Sequence, residues 1–176
     1  YSERDELNRE VFLRRVSSIS KNKVLFIDES GIDKFISRPY GWALKGKKVF
    51  GNISGRMYAR ESFISGLLNG KLIAPFCYQG TCNTNLFNLW IKEFLLPAIK
   101  PGYTIIMDNA AFHKSLETKK LIESSGCELL FLPPYSPDFN PIEKCWANLK
   151  NIIKKTITKF KTLSDAIDHA FRSFKI

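Results

Sequence analysis

Apolar residues along this chain fall into three patterns, and each predicts a different kind of element. Unbroken runs of strand formers, "KVLFID", "YTIIM" and "CELLFL", lack polar alternation, as strands buried on both faces do. "GWALKGKKVF" and "ESFISGLLNGKLIAPFCY" follow the first run, and Asn69-Gly70 within the second predicts a tight two-residue hairpin. Three sequential antiparallel strands are implied. Helical spacing marks the rest. "NTNLFNLWIKEFLLPAI" carries Leu86, Trp90 and Phe94 one turn apart and stops near Pro97. A short helix from about Ser115 to Ser125 ends at Gly126, a suitable C-terminal cap. Ile142, Cys145, Trp146, Leu149, Ile152 and Ile153 predict a helix from about Pro141 to Lys155. Leu163, Ala166, Ile167, Ala170, Phe171 and Phe174 share one face of a tail helix that should dock on the domain. With a charged helix in the opening "YSERDELNREVFLRRV", the order gives an α/β fold with a mixed five-stranded sheet flanked by helices.

Composition bounds this picture without changing it. The 176 residues, 44% hydrophobic and 25% charged, suffice for one domain with a substantial core. Cys77, Cys82, Cys127 and Cys145 show neither a CxxC pair nor finger-like Cys/His spacing, which predicts buried, reduced thiols in an intracellular protein. No signal peptide and no run of eighteen apolar residues disfavours export and membrane insertion, so a cytoplasmic protein is expected. The absence of an initiator Met suggests a fragment. We therefore divide the chain into an N-terminal helical linker, residues 1–22, and a domain, residues 23–176.

Charge adds a partner. A formal net charge of +10 points to a polyanion, with nucleic acid ahead of an acidic membrane surface. The cations cluster. Lys34, Arg38, Lys45, Lys47, Lys48, Arg56 and Arg60 occur from 34 to 60 with no acid among them, and Pro141 to Ile176 holds eight cations against three acids. Arg38, Lys45, Lys47, Lys48, Arg56 and Arg60, with Tyr40 and Trp42 interleaved, are candidates for backbone contacts and base stacking.

Candidate chemistry sits at the ends of the predicted elements. Asp28 closes or nearly closes the first strand, Asp108 closes the fourth, and Glu143 begins the helix after the fifth. A carboxylate beside a buried run must find cations or donors to offset its desolvation. Glu143 has a second reading, because Asn140-Pro141-Ile142-Glu143 fits a capping box with Pro at the first helical position. The residues leave open whether it caps, coordinates or does both. If the first and fourth strands were neighbours, Asp28 and Asp108 would crowd together, as like carboxylates do around divalent cations. Oxygen donors without clustered His or Cys favour Mg²⁺ or Mn²⁺ over zinc. Two such ions about 4 Å apart clamp both the attacking and leaving oxygens in phosphoryl transfer.

The segments "FIDESG", "IIMDNAAFHKS" and "LPPYSPDFNPIEKCWANLK" resemble the three catalytic blocks of DDE transposases of the Tc/mariner superfamily, particularly its bacterial insertion-sequence branch. The 34 residues between Asp108 and Glu143 match that group's interval when Glu stands third. The resemblance, from about Lys23 to Lys155, implies a ribonuclease H-like fold with the first and fourth strands adjacent. It also implies that Asp28, Asp108 and Glu143 are the catalytic, metal-binding triad, holding two Mg²⁺ or Mn²⁺ ions. Asn109 and His113 belong to the second block, and loop hydrogen bonding around the acid is the preferred reading for both. Glu29 and Asp33 match less essential positions. The implied activity is metal-dependent cleavage of double-stranded DNA at transposon ends and strand transfer into target DNA, usually at TA. A homodimer in the full synaptic complex and an upstream helix-turn-helix region are further implications. Action on chromosomal DNA would be cytoplasmic, or nuclear in a eukaryotic host. The alternatives are a ribonuclease H-like nuclease or resolvase without strand transfer, and a domesticated non-catalytic DNA-binding protein.

Overall fold

In a computed structural model, which describes residues 5–33, 45 and 60–174, the apolar runs assemble into one mixed sheet. Its strands are β1 (Val24–Asp33), β2 (Arg60–Leu68), β3 (Lys71–Gln79), β4 (Thr104–Met107) and β5 (Glu128–Phe131), in the order β3-β2-β1-β4-β5. β1 to β3 are antiparallel, whereas β1, β4 and β5 are parallel. The hairpin at Asn69-Gly70 forms as predicted, with φ of 50° and 76° at its two turn residues. "GWALKGKKVF" lies outside the described residues.

The first strand is longer than its apolar run. Pairing with β4 is recorded from Val24 to Phe26, but antiparallel pairing with β2 continues to Asp33. Asp28 therefore lies mid-strand, just beyond the part of β1 that is paired on both edges. A hydrophobicity pattern reads burial and misses backbone pairing along one edge, which explains the difference.

Side-chain alternation gives the sheet two packed faces. On one, Leu25, Ile27, Ile64, Ile105 and Met107 meet α2 (Thr84–Trp90), its π-helical continuation (Ile91–Leu95) and α4 (Leu116–Ser124). The helical segment closes with a further short turn, α3 (Leu96–Ala98). On the other, Phe63 and Leu67 meet α5 (Ile142–Thr156) and α6 (Leu163–Ser173). The predicted stripe of α5 is buried at Ile142, Cys145, Trp146, Leu149 and Ile153, and α6 docks through Leu163, Ala166, Ile167 and Ala170. α1 (Glu6–Ser17) covers the sheet around β4, with Phe12 and Val16 close to Val24, Ile106 and Leu132.

The four cysteines are free; Cys127 and Cys145 are buried, but Cys77 and Cys82 only partly so. They lie at the sheet's margin, where cover is incomplete. No helix among the described residues is long and apolar enough to cross a membrane.

Candidate active site

The strand order brings two acids together from segments eighty residues apart. Phe26 pairs with Ile106 in the parallel β1–β4 ladder, so the same register carried two residues further sets Asp28 across from Asp108. Asp108 follows the last residue of β4, where the chain leaves the sheet. Glu143, in the first turn of α5, reaches the same place from the helix layer. All three acids line one cavity of about 260 Å³, walled also by Asn109, Asn140 and the loop from Leu132 to Pro137.

Two of the carboxylates are held from below. The indole N–H of Trp146, one turn beyond Glu143 on α5, donates to Asp28 Oδ2 at 2.9 Å. The ring supplies apolar packing and its N–H still finds a partner, as a buried Trp requires. Asp108 Oδ1 accepts the Ala110 N–H at 2.9 Å and lies 2.7 Å from His113 Nδ1. His113 is itself buried, with Phe87 and Phe112 against its ring, and its Nε2 is 2.9 Å from Glu29 Oε1. Asn109 donates to the Leu132 carbonyl, tying the end of β4 to the loop after β5.

These contacts polarise the cluster. Burial and then the neighbouring Glu29, with smaller repulsion from Glu143 and Asp108, push the Asp28 carboxyl up to about 7, against the opposing bond from Trp146. Burial alone would discharge His113, but its bonds to Asp108 and Glu29 outweigh that and raise it to about 9. The His113 bond, working against burial, lowers Asp108 below the usual carboxylate range. The acids thus repel one another where a cation would offset the repulsion.

The proposed capping role of Glu143 is not realised. α5 begins at Ile142 with no side-chain cap, and the Glu143 N–H goes to the Asn140 carbonyl at 3.2 Å. Asn140 has the extended backbone of an N-cap residue (φ −101°, ψ 97°), yet its buried Oδ1 has no hydrogen-bond partner among the described residues. Pro141 stands at the N-cap position itself, with neither a side-chain acceptor nor an N–H to offer. The loop is braced instead from α1: Arg9 donates to Ser136 Oγ and pairs with Asp138 at 2.7 Å, and its guanidinium sits 4.0 Å from the centre of the Phe139 ring.

Among the described residues, no three of His, Cys, Asp and Glu stand close enough to form a finished metal site. The donor chemistry nevertheless fits a hard divalent cation: three carboxylates on one cavity, two of them anchored, and a buried amide oxygen without a partner. Zinc ligation finds no support here, because His113 spends both ring nitrogens on carboxylates.

A second cavity of about 370 Å³ adjoins the first across Asp28 and Asp108, lined by Glu29, Arg60, Ser62 and Tyr78 among others. Of the two predicted DNA contacts among the described residues, Arg60, exposed at the start of β2, lies beside the acids. Lys45 occupies an exposed turn. Arg38, Lys47, Lys48 and Arg56 lie outside the described residues.

Sequence reasoning passed over Glu29, Trp146, Asn140 and Lys150 as site residues. Lys150, seven residues along α5 from Glu143, has its charge disfavoured by burial and then by nearby Arg60, while Glu143 and Asp28 act in the opposite sense. The i, i+3 and i+7 positions after Glu143 were the available signal, since they share its face of the helix.

Comparison with known proteins shows the family and the fold. The family model described as "DDE superfamily endonuclease" matches residues 23–166. The Tc3 transposase of Caenorhabditis elegans is 30% identical over 128 residues, covering 71% of this chain and 36% of that protein. An uncharacterised 39 kDa protein of insertion element IS630 from Shigella sonnei is 28% identical over 145 residues, 77% of this chain and 40% of its own length. Among solved structures, the Mos1 strand transfer complex superposes with a TM-score of 0.72 at 17% identity, covering 96% of this chain and 52% of that one. A Mos1 mariner paired-end complex with Mn gives 0.67 at 15% identity, over 96% and 54%. The chain thus spans well under two thirds of these relatives' length.

Proposed function

This chain belongs to the DDE superfamily endonucleases, within the group that includes the Tc and mariner transposases, and from that premise we propose that it is the catalytic domain of a DNA transposase. Its chemistry would be metal-dependent cleavage at transposon ends, then joining of the freed 3′-hydroxyl to target DNA at TA. The observation that carries this reading is the convergence of Asp28, Asp108 and Glu143 on one cavity from β1, β4 and α5.

Asp28, Asp108 and Glu143 would hold the cations, and the other residues keep them in place. When bound, two divalent ions, Mg²⁺ or Mn²⁺, would supply activation of the attacking hydroxyl and stabilisation of the leaving oxygen in an in-line displacement. Trp146 fixes the Asp28 carboxylate, and His113 fixes Asp108 while neutralising part of the charge it shares with Glu29. Arg60, at the rim of the adjoining cavity, is suited to neutralise a phosphate of the strand being cut. No side chain need form a covalent intermediate. α1, within the proposed linker, packs on the loop before α5 and so would connect an upstream DNA-binding region to the loop that precedes Glu143. Synapsis of two ends by a homodimer belongs to the same proposal.

The test is a joining assay: a short duplex with a free 3′-hydroxyl end, incubated with supercoiled TA-containing plasmid and Mn²⁺. Joined products that disappear in Asp108→Asn support a strand transferase. Nicking without joining, equally dependent on Asp108, would favour a simple nuclease, and no Asp108-dependent product would contradict both.

A further inference from the structure

Asn140 carries chemistry that the acid triad does not account for. The residue is 5% exposed, and its Oδ1 is buried without a hydrogen-bond partner among the described residues. An amide oxygen left so forfeits its water contacts, a cost that native sites rarely leave uncompensated. The neighbouring helix offers the obvious partner and does not take it. Asn is among the favoured N-cap residues and Asn140 has extended backbone just before α5, yet Pro141 takes the N-cap position and no side-chain cap forms there. The same residue lines the cavity that holds Asp28, Asp108 and Glu143. Asn140 and Glu143, the two residues able to cap this helix from either side, are thus both withheld from capping and both placed on the acid cavity.

We propose that Asn140 is a fourth residue of the cation site, its Oδ1 serving as a neutral oxygen donor beside the three acids. The inference rests on the reading of those acids as metal ligands. The terminal torsion of Asn is broad, so small rotations re-aim the amide without leaving a rotamer well. Three carboxylates already line this cavity, and an amide oxygen adds coordination without adding a further negative charge. Pro141 and the turn at Pro137–Phe139 restrict the backbone on both sides of Asn140, and Arg9 holds that turn from α1. Asn140 is therefore presented by a stiffened segment.

Calorimetric titration with Mn²⁺, alongside thermal melts in EDTA, tests this with the wild-type chain, Asn140→Ala, Asn140→Asp and Asp108→Ala. The expected result is Mn²⁺ affinity weakened about tenfold in Asn140→Ala, the loss of one oxygen donor on the scale of perturbed metal sites. Asn140→Asp should bind at least as tightly as wild type, because the donor oxygen is restored. In EDTA the melting temperature of Asn140→Ala should be unchanged or slightly raised, since a buried acceptor without a partner is removed. A capping residue behaves in the opposite way. Asn140→Ala would then melt lower, Asn140→Asp would recover that loss, and Mn²⁺ affinity would stay at the wild-type value throughout, overturning the proposal. Should Asn140→Ala fail to fold, the near-isosteric Asn140→Asp decides alone: affinity below wild type would overturn it. Failure of the triad reading looks different. Wild type would then bind no Mn²⁺, or Asp108→Ala would bind as well as wild type, and both ideas would fall together.

Discussion

Asp28 and His113 each hold a proton more tightly in the folded protein than in the unfolded chain, and this makes the site a source of pH dependence. The Asp28 carboxyl rises from 3.8 to about 7, first through burial and then through Glu29. A raised folded value contributes stability that is present at low pH and is lost as pH climbs through about 7. His113 rises from 6.5 to about 9, so its contribution is complete below 6.5 and disappears as pH passes through 9. Asp108 moves the other way, and its contribution is lost only toward acid pH. In EDTA, the melting temperature should therefore fall between pH 6.5 and 9, and a flat or rising profile would contradict this assignment. The acids themselves were legible in the sequence, because a carboxylate at the end of an apolar run is conspicuous. Their partners were less so. Glu29 and His113 are 84 residues apart and meet only through the β1–β4 pairing, so no local spacing announces the contact. Trp146 was read correctly as a core residue on an apolar stripe; that its N–H would serve Asp28 depends on how α5 lies across β1.

α5 is the element on which fold and site meet. Its first turn supplies Glu143, while Leu149 and Ile153, fully buried, anchor it against the sheet. Ile153→Ala should destabilise the domain by about 2–5 kcal/mol, through lost burial and the cavity left behind. Because Ile153 lies nearly three turns from Glu143, Mn²⁺ affinity of the folded fraction should be unaffected. Urea denaturation with an unchanged slope checks the first point, and a cost below about 1 kcal/mol would mean that α5 is not docked as described. Helical periodicity was sufficient to find α4, α5 and α6, since each has one buried face. It could not show the π-helical turn at Ile91–Leu95, which buries Ile91 and Leu95 and leaves Phe94, on the expected stripe, 43% exposed. Nor could it extend β1 past Asp28, because that extension follows from pairing with β2.

For the molecule as a whole, topology and charge decide what the site can meet. Strand adjacency is invisible to periodicity; the resemblance of three short blocks to a known family supplied it, and the order β3-β2-β1-β4-β5 agrees. The net charge of +10 predicts that binding to random duplex DNA weakens with salt, with a log–log slope near −0.9 for each phosphate contacted. Three or more contacts would give a slope of about −2.7 or steeper, measurable by fluorescence anisotropy. A flat response would remove the basic segment from 34 to 60 as a DNA surface. The central claim is also one of assembly, that three acids distant in sequence form one divalent-cation site. It is tested most directly by titrating Mn²⁺ into the wild-type chain and into Asp108→Ala by calorimetry. Saturable binding in the wild type that is lost in the variant is the predicted result. Equal binding in the two, or none in either with duplex DNA present, would contradict it.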